Sequence, residues 1–475
     1  MQVFDCTVHV SDGDDDAQVE LQVRPPGAGK DTFTSPFTVD PLTRLTIERL
    51  YFWLKYAVEM ESRTLENPCE PSDLKALGYN LFCLLFPKPV RAKFLKHFQD
   101  FKDWTAQSKR PRKPEAEVRF RLELVFTGKF ESLDELPWEF LFIPDHGEIG
   151  EKKEGSFLAA AAELILTRSV PEDSRIKDLG AMPDAPKVLV VAFEPPDKYP
   201  GFGHIDQVAV THTFEKIGGL HSASKVRLLK NPSLDELSAA FKNCAEKPDM
   251  EPWQADILHF IGHGKAGQLM IRLAEKDNGY DNRTDDPQFG WMSSEDFCKA
   301  LKPCPLRLVF LHACQGAAPS ELRGVCSTAR DLLGAKIPAI VAMQCTISND
   351  DAELFAHVFY DRLRAGLDVE EAVQEARREL RDASPVRCRQ RFGTPVLYLQ
   401  TRDRVVAIPE EPKKKSDSGT VEPSPVAGRS PAGPGFATGS KATAAGAASG
   451  PTTPDDRTAR PAEAPKDVKA SDFRR

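Results

Sequence analysis

A chain of 475 residues is long enough for two or more domains, and its 41% hydrophobic residues can supply sizeable cores. The formal net charge of −8 comes without a basic stripe, which argues against a nucleic-acid surface. The chain does not open with a signal-like segment, and no apolar run approaches the roughly 20 residues that span a bilayer. The composition therefore predicts a soluble, cytoplasmic protein that binds neither nucleic acid nor membrane.

The ten cysteines are scattered along the chain and form no Cys-x-x-Cys pair. In a large acidic chain without a secretion signal, such cysteines are expected to be buried thiols rather than disulfides.

Residues 1–175 are predicted to form an α+β domain. Apolar side chains recur at helical spacing over 42–60, residues 72–106 suggest two further helices, and residues 118–126 alternate as a half-buried strand. Turn-forming and charged residues over 144–156 predict an exposed, mobile loop. Charged residues, Gly and Pro follow over 171–186 and are expected to separate this domain from the next.

Residues 186–403 contain apolar, β-rich runs that alternate with helical stretches. The runs are KVLVVAF, KVRLL, ADILHFIG, LRLVFLHA, AIVAMQC and PVLYLQ. This alternation predicts an α/β fold with a mostly parallel sheet flanked by helices. The near-continuous apolar strands indicate a sheet that is buried on both faces. In such open sheets, reactive groups collect at the carboxyl ends of the strands.

The tail, residues 408–475, is rich in Pro, Gly, Ala, Ser and Thr and nearly lacks large apolar residues. Such a segment cannot bury enough surface to offset its chain entropy, so we expect it to be disordered.

Two motifs with polar residues stand at the C-terminal ends of the third and fourth apolar runs. His263-Gly264 follows ADILHFIG, and Cys314 lies in LVFLHACQG. Residues 312–316 differ only in their first letter from the caspase signature Q-A-C-[RQG]-G, whose histidine lies roughly fifty residues upstream. A lone strand-end cysteine is usually a buried apolar group, but the ordered pair predicts a Cys/His peptidase dyad on neighbouring strands.

The motifs HFIGHG, LVFLHACQGA, ARDLLGAKIPAIVAMQCTISNDDAELFAHVFYDRLRAGLDVEEAV and FGTPVLYL resemble a CHAT domain. This caspase-like cysteine peptidase family is related to caspases, separases and metacaspases, and LPWEFL at 136–141 adds to the resemblance. The likeness covers roughly 187–400 and extends more weakly over the N-terminal domain. It implies a thiol endopeptidase that needs no metal or cofactor. His263 would be the general base or acid, Cys314 the nucleophile, and the amides of Gly264 and Cys314 the oxyanion hole.

Substrate preference is left open by the sequence. His312 stands where caspases have a glutamine and metacaspases an aspartate, so neither preference transfers. Because side chains alternate along a strand, residues 312 and 314 share a face, and His312 either lines the first specificity pocket or packs in the core.

The resemblance also implies that Cys345, Thr346, Ile347 and Ser348 form a pocket wall, with Asp350 as a candidate to attract a basic P1 side chain. The run from Ser348 to Asp351 is also typical of a helix N-cap and first turn, and this interpretation is preferred.

His259 and His263 are spaced like the histidines of a His-Glu-x-x-His zinc motif, but on a strand they lie about 13 Å apart at 3.3 Å per residue. We therefore expect no metal site. The leading interpretation is an intracellular cysteine endopeptidase that acts on protein or peptide substrates, as a regulated effector in signalling or defence. Since no sensor domain is recognisable, an activating protein partner stays open. One alternative is a catalytically idle CHAT scaffold that binds protein partners. Another is a small-molecule binding module of doubly wound type, and the absence of a glycine-rich phosphate-binding loop argues against it.

Overall fold

A computed structural model describes most of the chain N-terminal to residue 407. The described residues are 2–13, 16–64, 68–108, 118–144, 155–181, 186–193, 226–241, 254–273, 289–315, 326–383 and 386–406. The predicted disordered tail and most of the predicted loop at 144–156 lie outside these ranges.

The N-terminal part of the chain combines strands with three helices, as the α+β interpretation requires. The strands are β1 (Gln2–Asp12), β2 (Ala17–Arg24), β3 (Asp31–Pro36), β4 (Val118–Phe126), β5 (Phe142–Ile143), β6 (Ser156–Phe157) and β7 (Leu164–Ser169). The helices are α1 (Pro41–Thr64), α2 (Pro71–Leu85) and α3 (Lys88–Ser108). The predicted helices over 42–60 and 72–106 and the predicted strand over 118–126 are confirmed.

The C-terminal part shows the predicted alternation of strands and helices. Its strands are β8 (Val188–Ala192), β9 (Val226–Lys230), β10 (Ile257–Lys265), β11 (Gln268–Arg272), β12 (Phe289–Ser293), β13 (Leu308–Gln315), β14 (Ala339–Met343) and β15 (Pro395–Leu399). Its helices are α4 (Leu234–Phe241), α5 (Ser294–Leu301), α6 (Cys326–Gly334), α7 (Asn349–Arg364) and α8 (Val369–Ala383).

Thirteen strands of the described residues join in one mixed, mostly parallel sheet. The order is β12-β11-β10-β13-β14-β15-β7-β4-β1-β2-β3, and β8 pairs with both β10 and β9. Strand β15 is antiparallel to β14 and parallel to β7, so the sheet continues across the boundary predicted near 175–186. The division into two domains stays a prediction about the chain.

Both faces of the central parallel strands are buried, as their apolar sequences predict. On β13, Leu311 packs with apolar residues of α4, α5 and α6, and the adjacent Phe310 packs with α7 and α8. Alternate residues of one strand therefore face two different helical layers. Helices α5 and α7 begin at N-caps, Ser293 and Ser348, whose side chains accept hydrogen bonds from the first helical turn.

Strand β4 differs from its prediction as a half-buried strand, because its charged residues are also covered. Arg119 and Glu123 are buried. Arg121 pairs with Glu370 of α8, and Arg175 donates to Glu123 across 3.1 Å. Helix α8 and these ion pairs cover the face of β4 that the alternating sequence pattern predicts to be exposed to solvent.

None of the described helices is long and apolar enough to cross a membrane.

Candidate active site

His263 and Cys314 lie opposite each other on two adjacent parallel strands. The register of β10 and β13 pairs Gly262 with Ala313 and His263 with Cys314. The prediction that the two strands are neighbours is confirmed. The two residues lie within the final residues of their strands rather than beyond them. Strand β10 extends past His263 because a turn that contains Gly267, at φ +66°, leads the chain back into β11. The antiparallel pairing of β10 with β11 then continues to Lys265.

Strand alternation places position 314 on the sheet face that carries Phe310 and His312, the face covered by α7. Position 263 lies on that face of β10, two residues after Ile261 and four after His259. The backbone therefore brings the predicted nucleophile and the predicted base to one face of the sheet, at its carboxyl-terminal edge. The side chain of Cys314 lies outside the described part of the structure.

His263 sits in a nearly closed environment, with 5% of its surface exposed. Burial lowers the pKa of its imidazole from the ordinary 6.5 to about 4. The ring is therefore neutral at neutral pH and able to accept a proton, which a base opposite a thiol must do.

Two further histidines form a layer behind His263 on the same face. The ring of His259 stacks on Phe310 with centroids 4.3 Å apart, and its Nδ1 lies 3.0 Å from the Tyr360 hydroxyl oxygen. Burial and the neighbouring His312 hold the pKa of His259 well below its usual range. Burial also lowers the pKa of His312 to about 4.

His312 combines features of both interpretations that the sequence left open. Its side chain is partly exposed, whereas its Nδ1 atom is buried. Its ring centroid lies 6.2 Å from that of His259. It therefore packs against the core histidine and also reaches the surface near position 314, and its role as a pocket residue stays a prediction.

Gly264 lies between the two strands that flank the end of β10. It is in register with Gln315 of β13 on one side and with Leu269 of β11 on the other. The amides of Gly264 and Cys314 thus belong to neighbouring strand ends, and their role as an oxyanion hole stays a prediction.

The segment after β14 follows the strand next to β13, at the same edge of the sheet. Cys345 is buried with its Sγ 3.4 Å from Thr394 Oγ1, and burial raises its thiol pKa. Ile347 is also buried, whereas Thr346, Ser348 and Asp350 are at least partly exposed. Only those three can offer side chains to a substrate.

The helix-cap interpretation of Ser348 is confirmed, because its hydroxyl accepts a hydrogen bond from the Asp351 amide at 3.2 Å. Asp350 lies in the first turn of α7. A negative charge there also interacts favourably with the helix dipole, so its position has a structural cause besides any contact with substrate.

No group of three or more His, Cys, Asp or Glu side chains in the described ranges is placed to hold a metal ion.

The sequence model of the CHAT domain matches residues 75–418, well over half of the chain. This chain belongs to the CHAT domain family. The match begins in the N-terminal region and crosses the boundary predicted near 175–186, so it is broader than the motifs from 187 to 400. No curated protein sequence matches this CHAT protein.

At low identity, the CHAT protein is similar to a number of solved structures. The separase–securin complex of Saccharomyces cerevisiae aligns with 12% identity and a TM-score of 0.39, over 83% of this chain and 30% of that chain. The Arg-specific cysteine proteinase gingipain R aligns with 10% identity and a TM-score of 0.34, over 68% and 70%. The complex of Porphyromonas gingivalis RgpB pro- and mature domains aligns with 11% identity and a TM-score of 0.31, over 78% and 79%. This chain spans only 30% of the separase chain that it matches.

Gln344 is a buried polar residue beside the candidate site that the sequence analysis missed. It directly precedes Cys345 and is 2% exposed. Its side-chain amide donates to Glu139 Oε2 at 2.8 Å and accepts from Arg168 Nη2 at 3.2 Å. Glu139 belongs to the LPWEFL motif of the CHAT resemblance. A charged residue within that apolar motif is the one sequence signal that could have indicated a buried polar network.

Proposed function

We propose that this CHAT protein is a cysteine endopeptidase that cuts protein or peptide substrates, with Cys314 as nucleophile and His263 as general base and acid. The observation that carries the proposal is the direct register of His263 opposite Cys314 on adjacent parallel strands. A buried, neutral imidazole beside a strand-end thiol is the pair that thiol-dependent acyl transfer requires.

The chemistry runs in two halves. In the first, His263 takes the thiol proton as the Cys314 sulfur bonds to the substrate carbonyl carbon, and the carbonyl oxygen becomes an oxyanion. The protonated His263 then gives that proton to the leaving amide nitrogen, the carbon–nitrogen bond breaks, and a thioester stays on Cys314. In the second half, His263 removes a proton from water as the water oxygen bonds to the thioester carbon. The carbon–sulfur bond then breaks, His263 returns its proton to the Cys314 sulfur, and the acid product leaves.

The low pKa of His263 determines how the proton moves. With a pKa of about 4, its imidazole carries no proton at neutral pH, and its imidazolium is a stronger acid than an ordinary one. We therefore propose that His263 is neutral at rest and takes the Cys314 proton as the sulfur attacks. The same acidity favours protonation of the leaving nitrogen.

The family resemblance alone supports the further parts of this proposal, an intracellular location and a regulated role in signalling or defence. The idle CHAT scaffold is the competing function, and it predicts protein binding without cleavage.

The test is digestion of a diverse peptide library by the full-length chain, with the products identified by mass spectrometry. Cys314→Ala and His263→Ala remove the proposed groups. Cys298→Ser and His97→Gln are matched controls, because Cys298 lies on α5 and His97 on α3. Cleavage that persists only in the native chain and the two controls supports the peptidase. Cleavage that survives Cys314→Ala contradicts it. If the native chain cuts nothing and Cys314 is labelled by iodoacetamide no faster than Cys298, the idle scaffold is favoured.

A further inference from the structure

The polar groups of Gln344 are engaged by surrounding buried residues. Its backbone amide donates to the Thr394 carbonyl at 3.0 Å, and its own carbonyl accepts from the Tyr51 hydroxyl at 3.1 Å. Its side-chain nitrogen donates to Glu139 and to the Gly393 carbonyl, and its side-chain oxygen accepts from Arg168. A residue held at its backbone and side chain has little freedom to rotate or shift.

The partners of Gln344 include three residues from the N-terminal part of the chain. Tyr51 belongs to α1, Glu139 to the LPWEFL motif and Arg168 to β7. Both charged partners are almost fully buried, Glu139 at 0% and Arg168 at 1%. The α+β region therefore supplies part of the support for the segment that begins at Gln344.

Glu139 and Arg168 form a bidentate ion pair, which fixes the geometry that Gln344 meets. Arg168 Nη2 lies 2.6 Å from Glu139 Oε2, and Arg168 Nε lies 3.2 Å from Glu139 Oε1. Arg377 of α8 approaches Glu139 Oε1 at 3.7 Å. A planar guanidinium and a carboxylate joined in this way have a defined mutual orientation, and in a buried site their hydrogen bonds resist displacement.

The segment held by Gln344 continues from β14, the strand next to the one that carries Cys314. The last registered pair of these strands is Leu311 with Ala342, and Cys314 and Cys345 each lie three residues further along the chain. Thr346 and Ser348 follow with partly or fully exposed side chains. The predicted pocket wall lies in this segment, so the position of the segment would determine the contacts made with a bound peptide.

We infer that Gln344 is a positioning residue for substrate binding. Through Gln344, the buried Glu139–Arg168 pair makes the N-terminal region contribute to the shape of the substrate-binding cleft. The inference rests on the proposed function for what the segment contacts. Gln344 touches no reacting atom. It fixes the residues that do meet the substrate.

The first test compares Gln344→Met with Gln400→Met. Gln400 is an equally buried glutamine whose amide donates to the carbonyls of Leu333 and Ile337. Its backbone amide binds the Pro338 carbonyl at the start of β14, so it lies at the opposite edge of the sheet from Gln344. Both variants lose a buried amide, but Gln344→Met should lose more stability because two partners of its side chain are charged. Both variants are therefore assayed under conditions in which they are fully folded.

Kinetics on the best library peptide then separate positioning from stability. Gln344→Met should raise KM about tenfold with kcat changed little, since it removes interactions that hold the binding wall. Gln400→Met should leave both constants near those of the native chain. Equal effects of the two substitutions on KM and kcat, measured on folded protein, would overturn the inference.

Exchanging the carboxylate of Glu139 with the amide of Gln344 tests whether a second substitution restores KM. Gln344→Glu places a second carboxylate against Glu139, and Glu139→Gln deprives Arg168 of its buried counter-charge. The double variant Glu139→Gln/Gln344→Glu restores one carboxyl and one amide within reach of Arg168, so its KM should be closer to the native value than that of either single variant.

If the exchange variants do not fold, Tyr51→Phe replaces them, because it removes only the hydroxyl that donates to the Gln344 carbonyl. A KM unchanged in Tyr51→Phe, or not restored in a folded double variant, counts against the inference.

Amide hydrogen exchange keeps this inference separate from the proposed function. Gln344→Met should speed exchange in the segment 345–349 of the full-length chain, whereas Gln400→Met should not. If the native chain cuts no peptide and Cys314 is labelled no faster than Cys298, the proposed function fails, and exchange at 345–349 alone decides whether Gln344 positions this segment. Unchanged exchange there would overturn the inference whatever the kinetics.

Discussion

The Nδ1 atom of His259 lies 3.0 Å from the hydroxyl oxygen of Tyr360, and the two rings stack with centroids 5.7 Å apart. His259 is on β10 and Tyr360 on α7, so this contact joins the strand that carries His263 to the helix that covers its face. Both residues are fully buried. They pack in the core next to the strand of the candidate dyad and have no role in the predicted reaction.

Tyr360→Phe should therefore lower the free energy of unfolding without changing the reaction. Loss of the hydroxyl leaves His259 Nδ1 without this partner in a buried site, which costs about 1–3 kcal/mol. Urea unfolding measures the loss. Tyr79→Phe is the control, because Tyr79 is 43% exposed and its variant should be nearly as stable as the native chain. A Tyr360→Phe protein of native stability, or one whose peptide cleavage is abolished while it stays folded, would contradict this assignment.

His312 should make stability depend on pH in the acid range. Its folded pKa of about 4 is lower than its ordinary 6.5, so the unfolded chain binds the proton more readily. Its contribution is complete above about pH 6.5 and is lost as the pH falls towards 4. Going from about pH 7.5 to about pH 5 should cost about 2 kcal/mol through this group.

The measurement compares the native chain with His312→Gln by urea unfolding at both pH values, because other titrating groups cancel in the difference. One such group is Glu370, whose pKa is raised to about 7 by burial against the opposing effect of Arg121, so its contribution has the opposite sign. The pH-dependent loss should be smaller in His312→Gln by about 2 kcal/mol. Identical pH dependence in the two proteins would show that His312 titrates normally.

The proposed peptidase activity should persist to unusually low pH. His263 must be neutral to accept the thiol proton, and burial lowers its pKa to about 4. The acid limb of kcat/KM is therefore expected nearer pH 4 than pH 6.5. Circular dichroism at each pH separates loss of activity from loss of fold. An acid limb near 6.5 in a folded protein would mean that the base is more exposed, or is a different group.

Gly393→Ala should destabilise the contact between the LPWEFL motif and the segment before β15. A Cβ atom at Gly393 would overlap the ring of Phe140, which is fully buried and packs on Phe392 with centroids 5.6 Å apart. Overpacking of this kind costs about 1–3 kcal/mol. The double variant Gly393→Ala/Phe140→Leu should recover part of that loss. A Gly393→Ala protein as stable as the native chain would mean that this packing adapts freely.

The parts of the fold that depend on local pattern could be predicted from the sequence. The helical spacing of 42–60 and the apolar runs of β10 and β13 report burial within short windows, so their elements were predictable. The adjacency of β10 and β13 was predictable because parallel strands that follow each other along the chain are often neighbours in the sheet. The exact register of His263 opposite Cys314 was not part of that prediction.

Contacts between distant positions could not be predicted in the same way. The parallel pairing of β1 with β4 and the junction of β15 with β7 join segments that no local pattern relates. Gln344 and Glu139 are 205 positions apart, and neither the glutamine after β14 nor the charged residue within LPWEFL indicates the other as its partner. Arg121 suggested a solvated strand face because its counter-charge, Glu370, lies far along the chain in α8.

The measurement that tests the central claim most directly is covalent capture of the nucleophile. A peptidyl chloromethyl ketone built on the best library sequence should alkylate the native chain once, at Cys314, with activity lost in proportion to the label. Peptide mapping by mass spectrometry locates the adduct, and His263→Ala should react much more slowly because no base takes the thiol proton. Full loss of activity with the label on another residue, or with Cys314 unmodified, would contradict the account.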